Sequence, residues 1–515
     1  MKNNKLMFSL FGLLWLCACS NFLDRTPLDQ PSSETFWKTA NDFNVALAAC
    51  YASMQRGLYS DALPCWDNLT DNGYGQHPED GYGLTTEIVN GNISPNSGGF
   101  IATVYAGALA DIARANIFLN QLNGFTGFDP SKKKIYEAEV RMLRGYYYSY
   151  LYRCYGEVPI IDKPLDLSSQ NQPKASAADV FQFMMKDVDF AIGNLEDVKY
   201  SANSGHWTKD AAKAFKARML LYVAYDDFGT AKNDIMQQVK KLLQEIRNYS
   251  LAPEFTDNFQ DDKQEKCPEI IMSVKYLAPN NYTWADVWYG DWIVVSPLSN
   301  LISEFEFPDG SRGTVVPHDS KGVINVNEYT NEDLKRRDSR LAKTVFIDKY
   351  IVKGASYTPS NNRSLGTGLQ KFLSQNLQTP YSGASQCQQD WVLLRYADVL
   401  LMLAEAENEI NGSPTQIVYD AVNQVRRRSS MPELPPGLSK EEMRNRIRHE
   451  RRVELAFEGL RYFDLKRWKI AKQVLNNVKD GLTPYKFEDK NYLWPIPQSE
   501  IDKSNGTLIQ NPSYK

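Results

Sequence analysis

From about Ile101 to Ile246 the chain repeats one device: an apolar stripe at helical spacing, a short polar break, then a second stripe. Val104–Leu122 is followed by Ile135–Tyr155, and Ala177–Leu195 by Thr208–Phe228, before a further stripe over Ala231–Ile246. In the second of these, Val140, Leu143, Tyr147, Leu151 and Cys154 recur every three or four residues, the period of a helix with one buried face. Gly145 lies within that face and allows a neighbouring helix to approach closely. The 208–228 stripe carries alanine at 211, 212, 214, 217 and 224. Small residues set against large aromatics predict stacked helical hairpins, so this half of the chain is all α.

The hairpins recur at roughly 30–40 residues, a spacing similar to degenerate tetratricopeptide repeats; the alternative is a set of unrelated helical pairs. An opening helix is predicted over Glu34–Met54. Helices return at Trp391–Ile410, Pro414–Arg428 and Lys440–Arg461, and the tail after Trp468 is loop-like. Two segments break the rhythm. Residues 58–99 are rich in Gly, Asn and Asp, with Tyr59, Trp66, Tyr74 and Tyr82 among them. Residues 251–390 are dominated by Pro, Gly, Asn, Ser and Thr, with short strand-like pieces at Glu269–Tyr276 and Leu341–Val352 and a dense aromatic group, Tyr282, Trp284, Trp288, Tyr289 and Trp292. Long irregular segments in a compact protein usually carry function. The division that follows is a leader over 1–18, a helical region over 19–250 with its aromatic loop at 58–99, a loop-rich insertion over 251–390, and a C-terminal helical hairpin with a closing tail over 391–515.

The first twenty residues, MKNNKLMFSLFGLLWLCACS, read as an export signal. Lys2 and Lys5 supply the positive start, and Leu6–Leu16 an apolar core too short to span a bilayer. Leu16-Cys17-Ala18-Cys19 resembles a bacterial lipobox, in which Cys19 is acylated and becomes the first residue of the mature chain; the alternative is an ordinary signal cut near Ala18. Multiple acyl chains hold a protein on a membrane persistently. No other apolar run is long enough to cross one. Five cysteines remain, 50, 65, 154, 267 and 387, with no CxxC pair among them. Cys154 reads as a small core residue, whereas Cys50 and Cys65 are close enough in sequence to bridge.

A net charge of −4 gives no basic excess for nucleic acid, and four histidines in 515 residues leave little for a histidine metal or proton-transfer site. No P-loop and no G-x-S-x-G elbow occur. His449-Glu450 begins like a metalloprotease motif, but Val453 stands where its second histidine belongs. Carboxylate pairs for glycoside cleavage are distant in sequence and cannot be picked from 62 acidic residues. No cofactor or metal is expected, and the chain reads as a binding protein rather than an enzyme. What stands out is the count of polar aromatics, 29 Tyr and 10 Trp.

Near the C-terminus, 448–468 reads RHERRVELAFEGLRYFDLKRW. Arg451–Glu454, Glu458–Arg461, Arg461–Asp464 and Asp464–Arg467 are i,i+3 partners. A phosphate site is one reading of so many cations; an ion-pair lattice holding the last helix to the hairpins is the better one, because each cation has an acid nearby. The same segment resembles the signature of the SusD/RagB family of Bacteroidetes outer-membrane lipoproteins. Four other blocks agree in order: the lipobox with Phe22-Leu23-Asp24 and Pro27; Arg141–Tyr148 running to Tyr155-Gly156-Glu157-Val158-Pro159; Leu394–Ala406; and Trp494-Pro495-Ile496-Pro497. The resemblance implies a mostly α fold, with tetratricopeptide-like hairpins facing a partner and a loop-rich half carrying the ligand. It also implies a lipid-anchored protein at the cell surface that captures oligosaccharides for a SusC-like TonB-dependent transporter in the outer membrane. Peptide capture, as in the RagB branch, is the alternative.

Sugars offer C–H faces to aromatic rings and hydroxyls to amides and acids. The expected site is therefore Trp284, Trp288, Tyr289 and Trp292, opposed by Trp66, Asp71, Asn72 and Tyr74, because these two segments are where large rings occur without helical periodicity. The competing reading is that some of these rings pin the loops to the scaffold.

Overall fold

The computed structural model describes residues 36–55, 66–75, 84–203, 205–358, 365–375, 387–480 and 483–515. The longer helices are numbered here in chain order. The first, α1 (Ala40–Ala52), is started by a capping box between Thr39 and Asp42. It is followed by α2 (Gly99–Gly124), α3 (Pro130–Tyr155), α4 (Ala177–Asn194), α5 (Lys209–Val223) and α6 (Asn233–Gln244). The predicted stripes are thus helices, with ends shifted by up to five residues where caps rather than periodicity set the boundary. On α3, Asp129 accepts hydrogen bonds from the N–H groups of Ser131 and Lys132, and Pro130 occupies the first turn. Its far end stops at Gly156, whose φ of 74° suits glycine. Gly145 does what its place on the stripe suggests: a Cβ there would stand 3.2 Å from Val188 of α4.

Each helix packs on the next, α2 on α3, α3 on α4, α4 on α5 and α5 on α6. The stack then continues directly into α7 (Tyr396–Ile410), which lies against α6 and is covered by α8 (Gln416–Arg428) and α9 (Lys440–Glu454). Residues 245–395 are therefore an excursion from a single helical stack. The described strands are short and pair two by two, seven of the eight within this excursion: β1 (Gly73–Gly75), from the first loop, with β3 (Val295–Pro297), β2 (Ile270–Val274) with β8 (Trp391–Arg395), β4 (Val345–Ile347) with β7 (Thr367–Leu369), and β5 (Tyr350–Val352) with β6 (Ala355–Tyr357), all antiparallel.

Two helix expectations are corrected. Residues 391–395 form β8 rather than the first turns of α7, because their backbone pairs with β2, where every side chain is buried. The predicted helix over 440–461 ends at Glu454. Phe457 and Gly459 turn the chain at positive φ, their N–H groups donate to the buried Asp67 carboxylate at 3.0 and 2.9 Å, and α10 (Arg461–Arg467) starts afresh. Cys50, Cys154, Cys267 and Cys387 are buried free thiols; Cys65 and Cys19 lie outside the described residues. No described helix is long and apolar enough to cross a membrane.

Candidate functional site

The aromatic segment of the excursion is one irregular helical turn. The Trp288 N–H donates to the Trp284 carbonyl at 3.0 Å, and the Trp292 N–H reaches back to Val287 at 2.8 Å, an i to i−5 bond that widens the turn into a π-helix over Val287–Asp291. Ala285, Asp286, Val287, Tyr289, Gly290 and Asp291 are all buried, while Trp284 and Trp288 are half-buried and Trp292 is 46% exposed. The three tryptophans recur every fourth residue and so leave the turn on its outer side. Tyr282 extends the group, with its ring centroid 6.0 Å from that of Trp284.

The inner side of the turn explains its rigidity. Tyr289 points into the core against Phe372, at 5.8 Å between ring centroids. Thr283 is tied by its N–H to the Cys387 carbonyl at 2.8 Å. Asp286 sits where the turn begins and accepts the Ser374 N–H at 2.8 Å. Burial pushes the Asp286 carboxyl up to about 7, against the lowering effect of the Ser374 N–H and the Cys387 thiol.

The first loop meets this segment through backbone. Strand β1 pairs with β3, Tyr74 standing opposite Ser296, and the Leu298 N–H donates to the Asn72 carbonyl at 2.9 Å. The side chains predicted as an opposing wall are inside the protein. Trp66 is 4% exposed and lies parallel to Trp494 at 5.7 Å, among Phe100, Tyr150, Tyr462 and Phe463. Asp71 pairs with Arg452 and Arg461; burial alone would raise its carboxyl, but the two guanidiniums outweigh it and hold it at about 2. Asn72 donates to Asp67 at 3.0 Å and accepts from Arg452 at 2.9 Å. Tyr74 is buried with its hydroxyl 3.1 Å from that of Thr483. Trp66, Asp71, Asn72 and Tyr74 thus lock the loop to the scaffold and offer no face to a ligand, and Tyr289 is corrected to a core residue as well. What remains at the surface is Trp292, with the half-buried Trp284 and Trp288 beside it in sequence, and of these Trp288 also packs against the core. Their four-residue spacing was a helical signal that a composition-based reading of the segment as loop passed over.

The charged signature is buried and holds distant elements together. Glu454 of α9 accepts from Arg340 at 2.8 Å, from Arg395 at 2.6 Å and from Arg428. Arg395 also pairs with Glu269 and Glu458, and Arg451 with Asp398 and Asp464. Of the four i,i+3 pairs read from the sequence, Asp464–Arg467 forms, at 2.7 Å. Glu454, Glu458 and Arg461 reach instead across the fold, because i,i+3 partners on a surface gain little while buried ones must be matched wherever the packing puts them.

A family model described as the SusD family matches residues 255–514, and a second, described as starch-binding associating with outer membrane, matches residues 21–221. The SusD-like protein P38 of Formosa agariphila is 28% identical over 541 residues, covering 100% of this chain and 99% of its own. The starch-binding protein SusD of Bacteroides thetaiotaomicron is 21% identical over 455 residues, 80% of this chain and 78% of its own. Among solved structures, a SusD-like carbohydrate-binding protein from Bacteroides fragilis superposes with a TM-score of 0.77 at 24% identity, covering 93% of this chain and 100% of that one. The mostly α architecture is thus shared over 93% of this chain.

Proposed function

The chain belongs to the SusD family, and from that premise we propose that it is a surface glycan-binding lipoprotein, anchored in the outer membrane through Cys19, that captures oligosaccharides and hands them to a SusC-like TonB-dependent transporter. The observation that carries the binding reading is the tryptophan face. One exposed indole, Trp292, and two half-buried ones, Trp284 and Trp288, lie on a turn whose other side is buried and pinned, so they are presented without the loss of loop entropy that a mobile segment would suffer on binding. Indole faces stack on the C–H faces of pyranose rings, and a row of them at four-residue spacing can meet successive sugars of a chain. The family models and the relatives named above for an activity are named for starch or carbohydrate binding, which supports binding rather than turnover. The helical stack offers the transporter a rigid surface, and the excursion 245–395 carries the ligand.

Calorimetry with a panel of glycans and peptides tests the reading. Trp288→Ala and Trp292→Ala should each cost about 2 kcal/mol of binding, more than tenfold in affinity for the cognate glycan, with the melting temperature within 2 °C of the parent. Unchanged affinity in both variants refutes the site; peptide binding without glycan binding refutes the ligand class.

A further inference from the structure

A second cleft of about 300 Å3 opens in the excursion, and none of the three tryptophans lines it. It lies between the short helical turns Asn331–Leu334 and Arg340–Thr344, strands β4 and β5, and the loop after β7. We propose that this cleft is a second saccharide site, separate from the tryptophan face, that takes a single neutral pyranose ring.

Its chemistry is that of polyol recognition. Four carboxamides, Gln260, Asn331, Gln370 and Gln375, surround one opening together with the Thr256 hydroxyl. A carboxamide places a donor and an acceptor side by side, which matches the two hydroxyls of a vicinal diol. Two of the four build the frame. Asn331 donates to the carbonyls of Ile347 and Lys349 and accepts the Ile347 N–H, and Gln260 donates to Leu373 and accepts the Gln375 N–H. The Gln375 carboxamide donates to the same Leu373 carbonyl, at 3.4 Å. Among the described residues, the Thr256 hydroxyl and the Gln370 carboxamide have no protein hydrogen-bond partner, although both side chains are half-buried.

The remaining wall is apolar. Leu334, Ala342, Phe346 and the half-exposed Ile351 supply it, and an apolar wall of this kind can take the C–H face of a pyranose. Charge argues against an anionic sugar. Lys335 and Lys343 at the rim are paired with Glu332 at 2.7 Å and Glu254 at 3.0 Å, and the Lys371 ammonium below donates to Glu458 and to the carbonyls of Glu454 and Ala456. Tyr350 forms the partition from the tryptophan turn: a Cβ added to Gly290 would stand 2.5 Å from its hydroxyl.

The inference does not require the tryptophan face to bind anything, and its test keeps the two apart. Saturation-transfer NMR on the mature chain, with the methyl glycosides of glucose, galactose, mannose and xylose as probes, reads binding of a single ring. At least one glycoside should receive saturation. That signal should fall at least fivefold in Gln370→Ala, and in Ala342→Trp, which fills the cleft, and persist in the Trp288→Ala/Trp292→Ala double variant. Should Ala342→Trp fail to fold, Gln370→Ala, a change at a partly exposed side chain without partners, decides alone. No transfer to any of the four glycosides overturns the proposal. So does a signal that disappears with the two tryptophans and is unchanged in Gln370→Ala.

Discussion

Replacing Glu454 with glutamine removes one charge at the point where the excursion, strand β8 and helix α8 are all tied to α9. The carboxylate is fully buried and accepts from Arg340, Arg395 and Arg428. Breaking a buried ion pair by removing one partner costs about 3–5 kcal/mol, because the surviving charges are stranded in a medium of low dielectric. The three arginines here keep other acids: Arg340 retains Asp338 and Glu450, Arg395 retains Glu269 and Glu458, and Arg428 retains Glu269. That places the loss at the lower end of the range, ~3 kcal/mol. Unfolding entropy of about 2.1 cal/mol/K per residue amounts to ~1 kcal/mol/K for a chain of this length, so Glu454→Gln should lower Tm by ~3 °C at pH 7. The effect has a pH signature. Burial by itself would raise the Glu454 carboxyl, but Arg428, Arg395 and Arg340 together hold it well below the ordinary 4.5. Its contribution to stability is therefore complete above pH 4.5 and is lost as pH falls toward the folded value. Calorimetric melting of the two proteins should show the 3 °C gap from pH 8 to pH 6 and a narrowing gap below pH 4.5. Glu433→Gln is the control, since its pair with Arg427 is half exposed on both sides, and such pairs contribute under about 1 kcal/mol. A shift below 1 °C for Glu454→Gln, or a gap of constant width in acid, refutes the reasoning.

Three further outcomes are expected. Asp286→Asn should stabilise the protein at pH 8 and leave it unchanged at pH 4: a carboxyl raised from 3.8 to about 7 loses folded-state stability as pH rises through that window, a cost of about 2–4 kcal/mol that the amide avoids, and equal melting temperatures at pH 8 argue against it. Trp66→Ala should cost about 3–5 kcal/mol of stability in denaturant titration, as the emptied stack beside Trp494 cannot refill, while glycan affinity stays as in the parent; lost affinity at unchanged stability returns Trp66 to the site. Cys19→Ala should release the protein from the outer-membrane fraction, measured in cells lacking the transporter proposed above as its partner so that docking cannot retain it, and continued membrane association there rules out acylation at this cysteine.

The sequence by itself determined what is local. Helical period, caps and a glycine at a close approach are properties of a few neighbouring residues, so α2 to α6 were legible within a turn or so of their ends, and the signature blocks carried the family. What the tertiary structure alone decided is the direction of each ring and the partner of each charge. Trp66 and Trp292 both lie outside the long helices, yet one is sealed against Trp494 and the other is 46% exposed. Residues 455–460 continue a helical pattern, yet the helix stops because Asp67, nearly four hundred positions away, takes the N–H groups of Phe457 and Gly459. Glu454 could have met Arg451 one turn back and instead meets three arginines from three other elements. In each case the winning contact is buried and non-local, stronger than the exposed local alternative, and visible only once the chain has brought distant residues together.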